Sequence, residues 1–324
     1  MHRMRLSLIA AVVIASWCQG QSRPAAETRP ESAESAPAGD PSAYAKLFKY
    51  CPEKLESLML VTAKGVPDEF KDFLLPTLDF RGEYTQVRAV RVLWAGQRFS
   101  PRNDYEGVRV YELERPIALA SVINEDNFNY EAIDGVPCFV GKPKSEEYGP
   151  LEDWVTLVDR KYLIFATRRS IMKAVLAGRG PSPETVVERL GWKPAEVRFG
   201  SPFLIIRKYV AEKGTPPWVI EAVVERLQLA YDPATKRCLL DVVSKDGTEA
   251  LRLCRGMAED HRPDSRVSEE DEIPPEMLER WTYARVEPLN SNGDRHVFTL
   301  TINRDHDWPR PQPMAMIYGV SLMY

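Results

Sequence analysis

Histidine is scarce in this chain: there are 4 in 324 residues, and one of them, His2, belongs to the leader described below. That leaves His261, His296 and His306 for any imidazole-dependent chemistry. No serine sits in a G-x-S-x-G elbow and no histidines are spaced H-E-x-x-H, so two common hydrolase signatures are missing. No two cysteines are spaced C-x-x-C, which removes the thiol-redox and zinc-knuckle patterns. The stretch 135–142, GVPCFVGK, has five residues between its glycines where a phosphate loop needs four, and Pro143 stands where the hydroxyl residue belongs. A basic excess is also lacking, with 43 Lys and Arg against 47 Asp and Glu, so no nucleic-acid partner is expected. Glycine is rarer than proline, 18 against 26, which implies stiff connections.

What is present is the balance of a globular chain, 44% hydrophobic and 28% charged, with a length that allows two units or one elongated one. Residues 1–20 read as an export signal: His2, Arg3 and Arg5 precede an apolar run, 6–15, that is too short to span a bilayer. Cleavage after Gly20 is expected to leave the mature chain outside the cytoplasm, periplasmic or secreted. Cys18 raises a second reading, a lipid-anchored cysteine that holds the chain on a membrane, although Trp17 replaces the small residue such a site needs. Residues 21–42 contain no bulky apolar side chain and are rich in Pro, Ala, Glu and Ser, so they read as a disordered tether.

Four cysteines follow: Cys51, Cys138, Cys238 and Cys254. An exported chain permits two bridges, and a Cys238 to Cys254 link closing about 15 residues would contribute about 3 kcal/mol. The competing reading is four buried small hydrophobes.

The clearest core signal runs from 154 to 180. Two apolar runs flank Asp159-Arg160 as two adjacent strands should, and from Arg168 the spacing of Ile171, Met172, Val175 and Leu176 becomes helical. Gly178, Gly180, Pro181 and Pro183 then stop the helix. Strands are expected at 58–62, 87–95 and 108–113, with a helix over 67–78 and a loop over 97–106. Asp134-Gly135 predicts a tight hairpin between 130–133 and 136–140. Further on the pattern predicts helices over 183–190, 216–227 and 247–257, a hairpin pairing 227–231 with 237–244, and a hairpin around 290–293. The stretch 258–280 is acidic, and 314–324 reads as a final apolar strand.

An overlay of 160–180 on 236–256 aligns Leu163 with Leu239, Ala174 with Ala250 and Gly180 with Gly256, which suggests two related halves. The expected fold is therefore α+β, antiparallel meander sheets with packed helices, divided into a domain over 43–195 and a second half over 196–324.

The one metal-like constellation is Asp294, His296, Asp305, His306 and Asp307, since carboxylates and imidazoles at a hairpin's ends can converge on one cation. It would support a metal-assisted hydrolase. The basic group Arg160, Lys161, Arg168, Arg169, Lys173 and Arg179 reads as a charged outer face, and Trp94, Trp154, Trp192, Trp218, Trp281 and Trp308 as core.

The leader and Pro/Ala tether, the hairpin 134–139 (DGVPCF) and the stretch 158–166 (VDRKYLIFA) entering a helix resemble a loose group of exported bacterial proteins of unknown function. The resemblance spans about half of the chain and implies no catalytic residue and no cofactor. The sequence thus points to an exported, non-enzymatic cell-envelope protein that binds or scaffolds an extracytoplasmic partner.

Overall fold

The computed structural model describes residues 41–66, 75, 77–80, 85–98, 105–118, 128–141, 154–210, 220–260 and 284–302. The fold is α+β. Twelve strands form one antiparallel path, in the order β12-β13-β11-β10-β9-β1-β3-β4-β8-β7-β6-β5, and β2 pairs with β3 beside it. The strands are β1 (Ser57–Thr62), β2 (Thr77–Phe80), β3 (Thr85–Arg98), β4 (Tyr105–Leu113), β5 (Phe128–Ile133), β6 (Val136–Gly141), β7 (Trp154–Val158), β8 (Tyr162–Ala166), β9 (Phe203–Lys208), β10 (Val224–Asp232), β11 (Arg237–Ser244), β12 (Ala284–Asn292) and β13 (Arg295–Ile302). The helices are α1 (Ala45–Phe48), α2 (Arg169–Leu176), α3 (Pro183–Arg189), α4 (Ile220–Val223) and α5 (Gly247–Asp260).

Alternation along each strand gives the sheet two apolar faces. The front face buries Met59, Val92, Ile205, Leu229, Leu240 and Phe298 in one cluster, which includes Ala250 and Cys254 of α5. The back face buries Leu58, Leu60, Val110, Ile164, Leu204 and Ile206 with Phe48 of α1, Met172 and Val175 of α2, and Val186 and Val187 of α3. Central strand β1 pairs with β9 on one side and β3 on the other, so strands from either side of residue 195 share a single sheet.

Local chemistry explains the hairpins. Asp134 and Gly135 adopt φ of 51° and 83°, the two left-handed positions that a two-residue turn requires. Asp159 and Arg160 repeat this at 52° and 57°. Arg160 is bulky for that region, and it is held by the segment after β4: Ile117 N donates to Arg160 O at 2.9 Å. Pro183 opens α3, and Ser182 caps it, its Oγ accepting from Thr185 N at 3.3 Å.

Three expectations are corrected. Residues 67–74 of the anticipated helix 67–78 lie outside the described residues, and its end is strand β2, which pairs with the first residues of β3. Of the anticipated helix 216–227, residues 216–219 lie outside the described residues, α4 covers Ile220–Val223, and Val224 already begins β10. Val224 pairs with Ser244 of β11, and from Arg226 the chain pairs with β9 as well, so the ladders to β9 and β11 outweigh a helical apolar spacing. The loop 97–106 is shortened because β3 runs to Arg98 and β4 starts at Tyr105. The hairpin-then-helix order does recur at β7-β8-α2 and β10-β11-α5, but α2 packs on the back face and α5 on the front.

All four described cysteines are buried and free, two on each face. Cys238 and Cys254 form no bridge. Burial pushes the thiols of Cys51, Cys238 and Cys254 up to about 12, so they stay protonated and unreactive at neutral pH.

Candidate binding face

The antiparallel registers place one residue from each strand of the path in a single line across the front face. From one edge to the other it reads Pro288, Phe298, Leu240, Leu229, Ile205, Met59, Trp94, Arg109, Phe165, Val155, Phe139 and Tyr130. The half from Phe298 to Met59 is buried. Beyond it, Trp94, Arg109, Phe165 and Phe139 are half-buried, Val155 between the two phenylalanines is buried, and Tyr130, at the β5 edge, is 65% exposed. Phe128 and Leu157 flank this end, also half-buried.

Ring geometry ties the exposed end together. Tyr130 meets Phe139 edge-on with centroids 5.7 Å apart, and Tyr111 meets Phe165 at the same distance and 90°. The Arg109 guanidinium stands 5.4 Å from the Trp94 ring centroid and hydrogen-bonds the Tyr111 side chain. An aromatic surface of this kind, apolar over several strands with one cation in its line, is suited to holding an apolar or amphipathic partner.

The back face holds a buried polar network. Asp241, fully buried on β11, accepts from Arg295 Nε at 3.0 Å, and from Arg295 Nη2, Arg198 Nη2 and Gln228 Nε2 at 3.2 Å each. Gln228 also donates to Glu196 O at 2.7 Å and accepts from Arg198 N at 3.2 Å. The guanidinium groups of Arg226 and Arg295 stand 5.4 and 5.6 Å from the Trp192 ring centroid. This network fastens the connection after α3 onto the β10-β11-β13 end of the sheet.

The residues singled out in the sequence fall as follows. Asp305, His306 and Asp307 lie outside the described residues. Asp294 is exposed in the β12-β13 turn, and its carbonyl accepts from Ser244 N at 2.7 Å. His296 is buried with both ring nitrogens engaged: Nε2 donates to Ser244 O at 3.2 Å and Nδ1 lies 2.9 Å from Ser291 Oγ. Among the described residues no group of three or more His, Cys, Asp and Glu is gathered for a metal.

The basic helix face is largely neutralised locally. Arg168 pairs with Glu106, Arg169 with Glu131 at 2.6 Å, Lys173 with Asp134 at 3.7 Å and Lys161 with Glu112 at 2.9 Å. Trp154 and Trp192 are core, Trp94 belongs to the front row, and Trp218, Trp281 and Trp308 lie outside the described residues. Arg109, Phe165, Phe139 and Tyr130 were not anticipated as a group. Their alternation within strands was visible, but the alignment between strands was not.

His296 does have a structural partner. A Cβ on Gly247, the first residue of α5, would lie 2.3 Å from His296 Cε1. Asp246 caps this helix, its Oδ1 accepting from Thr248 N and Glu249 N at 3.0 Å each, so the helix start cannot easily slide away. Gly247→Ala is expected to destabilise the fold by about 2 kcal/mol through overpacking. In a His296→Ala background the same change is expected to be neutral or stabilising, because alanine is the better helix former. Urea denaturation of the four proteins measures both values, and equal costs in the two backgrounds would refute the contact.

Compared with solved structures, the chain is similar to "Structure of crystal form I of TP0453", with 10% identity, a TM-score of 0.42, and coverage of 84% of this chain and 96% of that one. For crystal form III the values are 10% identity, a TM-score of 0.38, and 79% and 93% coverage. No family model matches the chain, and no curated protein matches it.

Proposed function

We propose that this is an exported, non-enzymatic protein of the cell envelope whose role is binding, with the exposed end of the front row as the binding surface. The sequence supports export through residues 1–20 and supports display on a tether through 21–42. No helix among the described residues is long and apolar enough to cross a membrane.

The observation that carries the binding role is the row itself. One line of facing residues passes from Met59, 6% exposed, to Tyr130, 65% exposed, and stays aromatic or aliphatic apart from Arg109. A sheet face that stays apolar where its burial ends is a surface that gains free energy when something covers it, at about 25 cal/mol per Å².

The neutral dye Nile red tests this. Its fluorescence is expected to rise several-fold with the folded mature chain and to fall by at least half with Tyr130→Glu, whose melting temperature should stay close to that of the parent because the side chain is exposed. Tyr130→Phe should retain the signal. No enhancement in the parent protein, or an unchanged signal in Tyr130→Glu, would sink the reading.

A further inference from the structure

We propose that the ligand of the front row is an anionic single-chain amphiphile of the fatty-acid type, with its acyl chain across Phe165, Phe139 and Tyr130 and its headgroup on Arg109. This rests on the binding reading above and adds the chemistry of the ligand.

Charge is the first argument. Among the described residues, the row and the two rows flanking it on the front face hold no carboxylate, and their permanent charges are Arg109 and Arg207. The back face treats its arginines differently. Arg91 pairs with Glu112 at 3.0 Å, Arg168 with Glu106, and Arg198 and Arg295 share Asp241. Among the described residues, the partners of Arg109 are neutral, the Trp94 ring and the Tyr111 side chain. A half-buried guanidinium among aromatic rings has lost hydration without gaining an anion, and it keeps N–H donors in the planar fork that suits a carboxylate.

Direction is the second argument. The row crosses the strands instead of following one. A peptide laid extended across a sheet face would bury backbone N–H and C=O groups against side chains with no partners, which is costly. An acyl chain has no such groups. From Arg109 on β4 to Tyr130 on β5 the row spans four strand spacings, about 19 Å, which suits one long extended acyl chain.

The experiment is displacement of Nile red from the full mature chain by laurate, lauryl alcohol and dodecyltrimethylammonium, each below its micelle concentration. Laurate is expected to displace the dye at concentrations at least tenfold lower than the cation, with the alcohol between them. Arg109→Gln is expected to abolish that order, so that all three probes displace the dye this variant binds at similar concentrations, and Arg109→Lys to restore part of it. Equal displacement by all three probes, no displacement by laurate, or an unchanged order in Arg109→Gln would overturn the proposal. In those cases dye binding that still depends on Tyr130 would leave the binding face standing, whereas absence of dye binding would remove both.

Discussion

Gly180→Ala is expected to cost about 3 kcal/mol of stability, more than any other single methyl added to a described glycine. A Cβ at this position would lie 2.2 Å from Phe48 O and 2.5 Å from both the carbonyl carbon and the oxygen of Lys49. These are backbone atoms. A side chain can swing aside, but the carbonyls of Phe48 and Lys49 are anchored at the end of α1, where Cys51 N donates to Phe48 O at 2.9 Å and Gly180 N donates to Lys49 O at 3.0 Å. Moving the strand of contacts apart would break the second bond and loosen Phe48, which is buried against α2 and α3 in the back-face cluster. The cost therefore combines overpacking with a lost hydrogen bond. Gly178→Ala is the internal comparison. Its φ is 63°, and a Cβ would meet nothing nearer than Leu176 O at 4.0 Å, so its cost is the left-handed conformation alone, about 1 kcal/mol. Chemical denaturation of both variants is the measurement, and a Gly178→Ala cost equal to or above that of Gly180→Ala would refute the contact.

This pair of glycines also shows what the sequence could and could not convey. Both read as helix stops after 176, and the chain does stop there. Only Gly178 serves by its backbone conformation. Gly180 is required because the segment 47–51, some 130 residues earlier, passes against it, and nothing local records that approach. The same division runs through the fold. The turns at Asp134-Gly135 and Asp159-Arg160, the cap at Ser182 and the helical spacing after Arg168 depend on near neighbours and were legible. Over 224–227 the sequence misleads, because Val219, Ile220, Val223 and Val224 satisfy a helical stripe while the partners that draw β10 into the sheet lie at 203–208 and 237–244. The front row was least legible of all. Period two along β3, β4, β8, β6 and β5 shows which residues share a face, but registers decide which of them line up, and those bring Tyr130 into one line with Met59 and Phe298.

The second large effect is expected at Asp241. Asp241→Ala should destabilise the chain by about 4 kcal/mol, the range seen when one partner of a buried ion pair is removed. The sequence places an aspartate in the middle of the apolar run Leu239 to Val243, where a residue of the opposite parity to Leu240 must face the back of the sheet. There it is fully buried and receives four hydrogen bonds from three side chains, so its removal leaves Arg198 and Gln228 with donors that water does not reach. Arg295 is partly exposed and can turn outward, so Arg295→Met should cost less, about 1 to 2 kcal/mol, mainly through lost packing on Trp192. Asp241→Asn separates charge from shape. It keeps the acceptor toward Gln228 and loses the ion pairs, and its cost should fall between those two values. A double-mutant cycle of Asp241→Ala with Arg198→Met should show that removing both partners is cheaper than the sum of the single costs, because the orphaned cation leaves with its acid. Additive costs would mean that Arg198 finds another partner and that the connection after α3 is held by Trp192 and its neighbouring arginines instead. The stake is architectural: this network clamps residues 192–199 over β10, β11 and β13, and with it lost the back-face contacts of Trp192, Val197 and Phe199 should open well before the central strands β1, β3 and β9. Hydrogen exchange on Asp241→Ala would register that as early labelling of Val197 and Phe199 with the amides of β1 still protected.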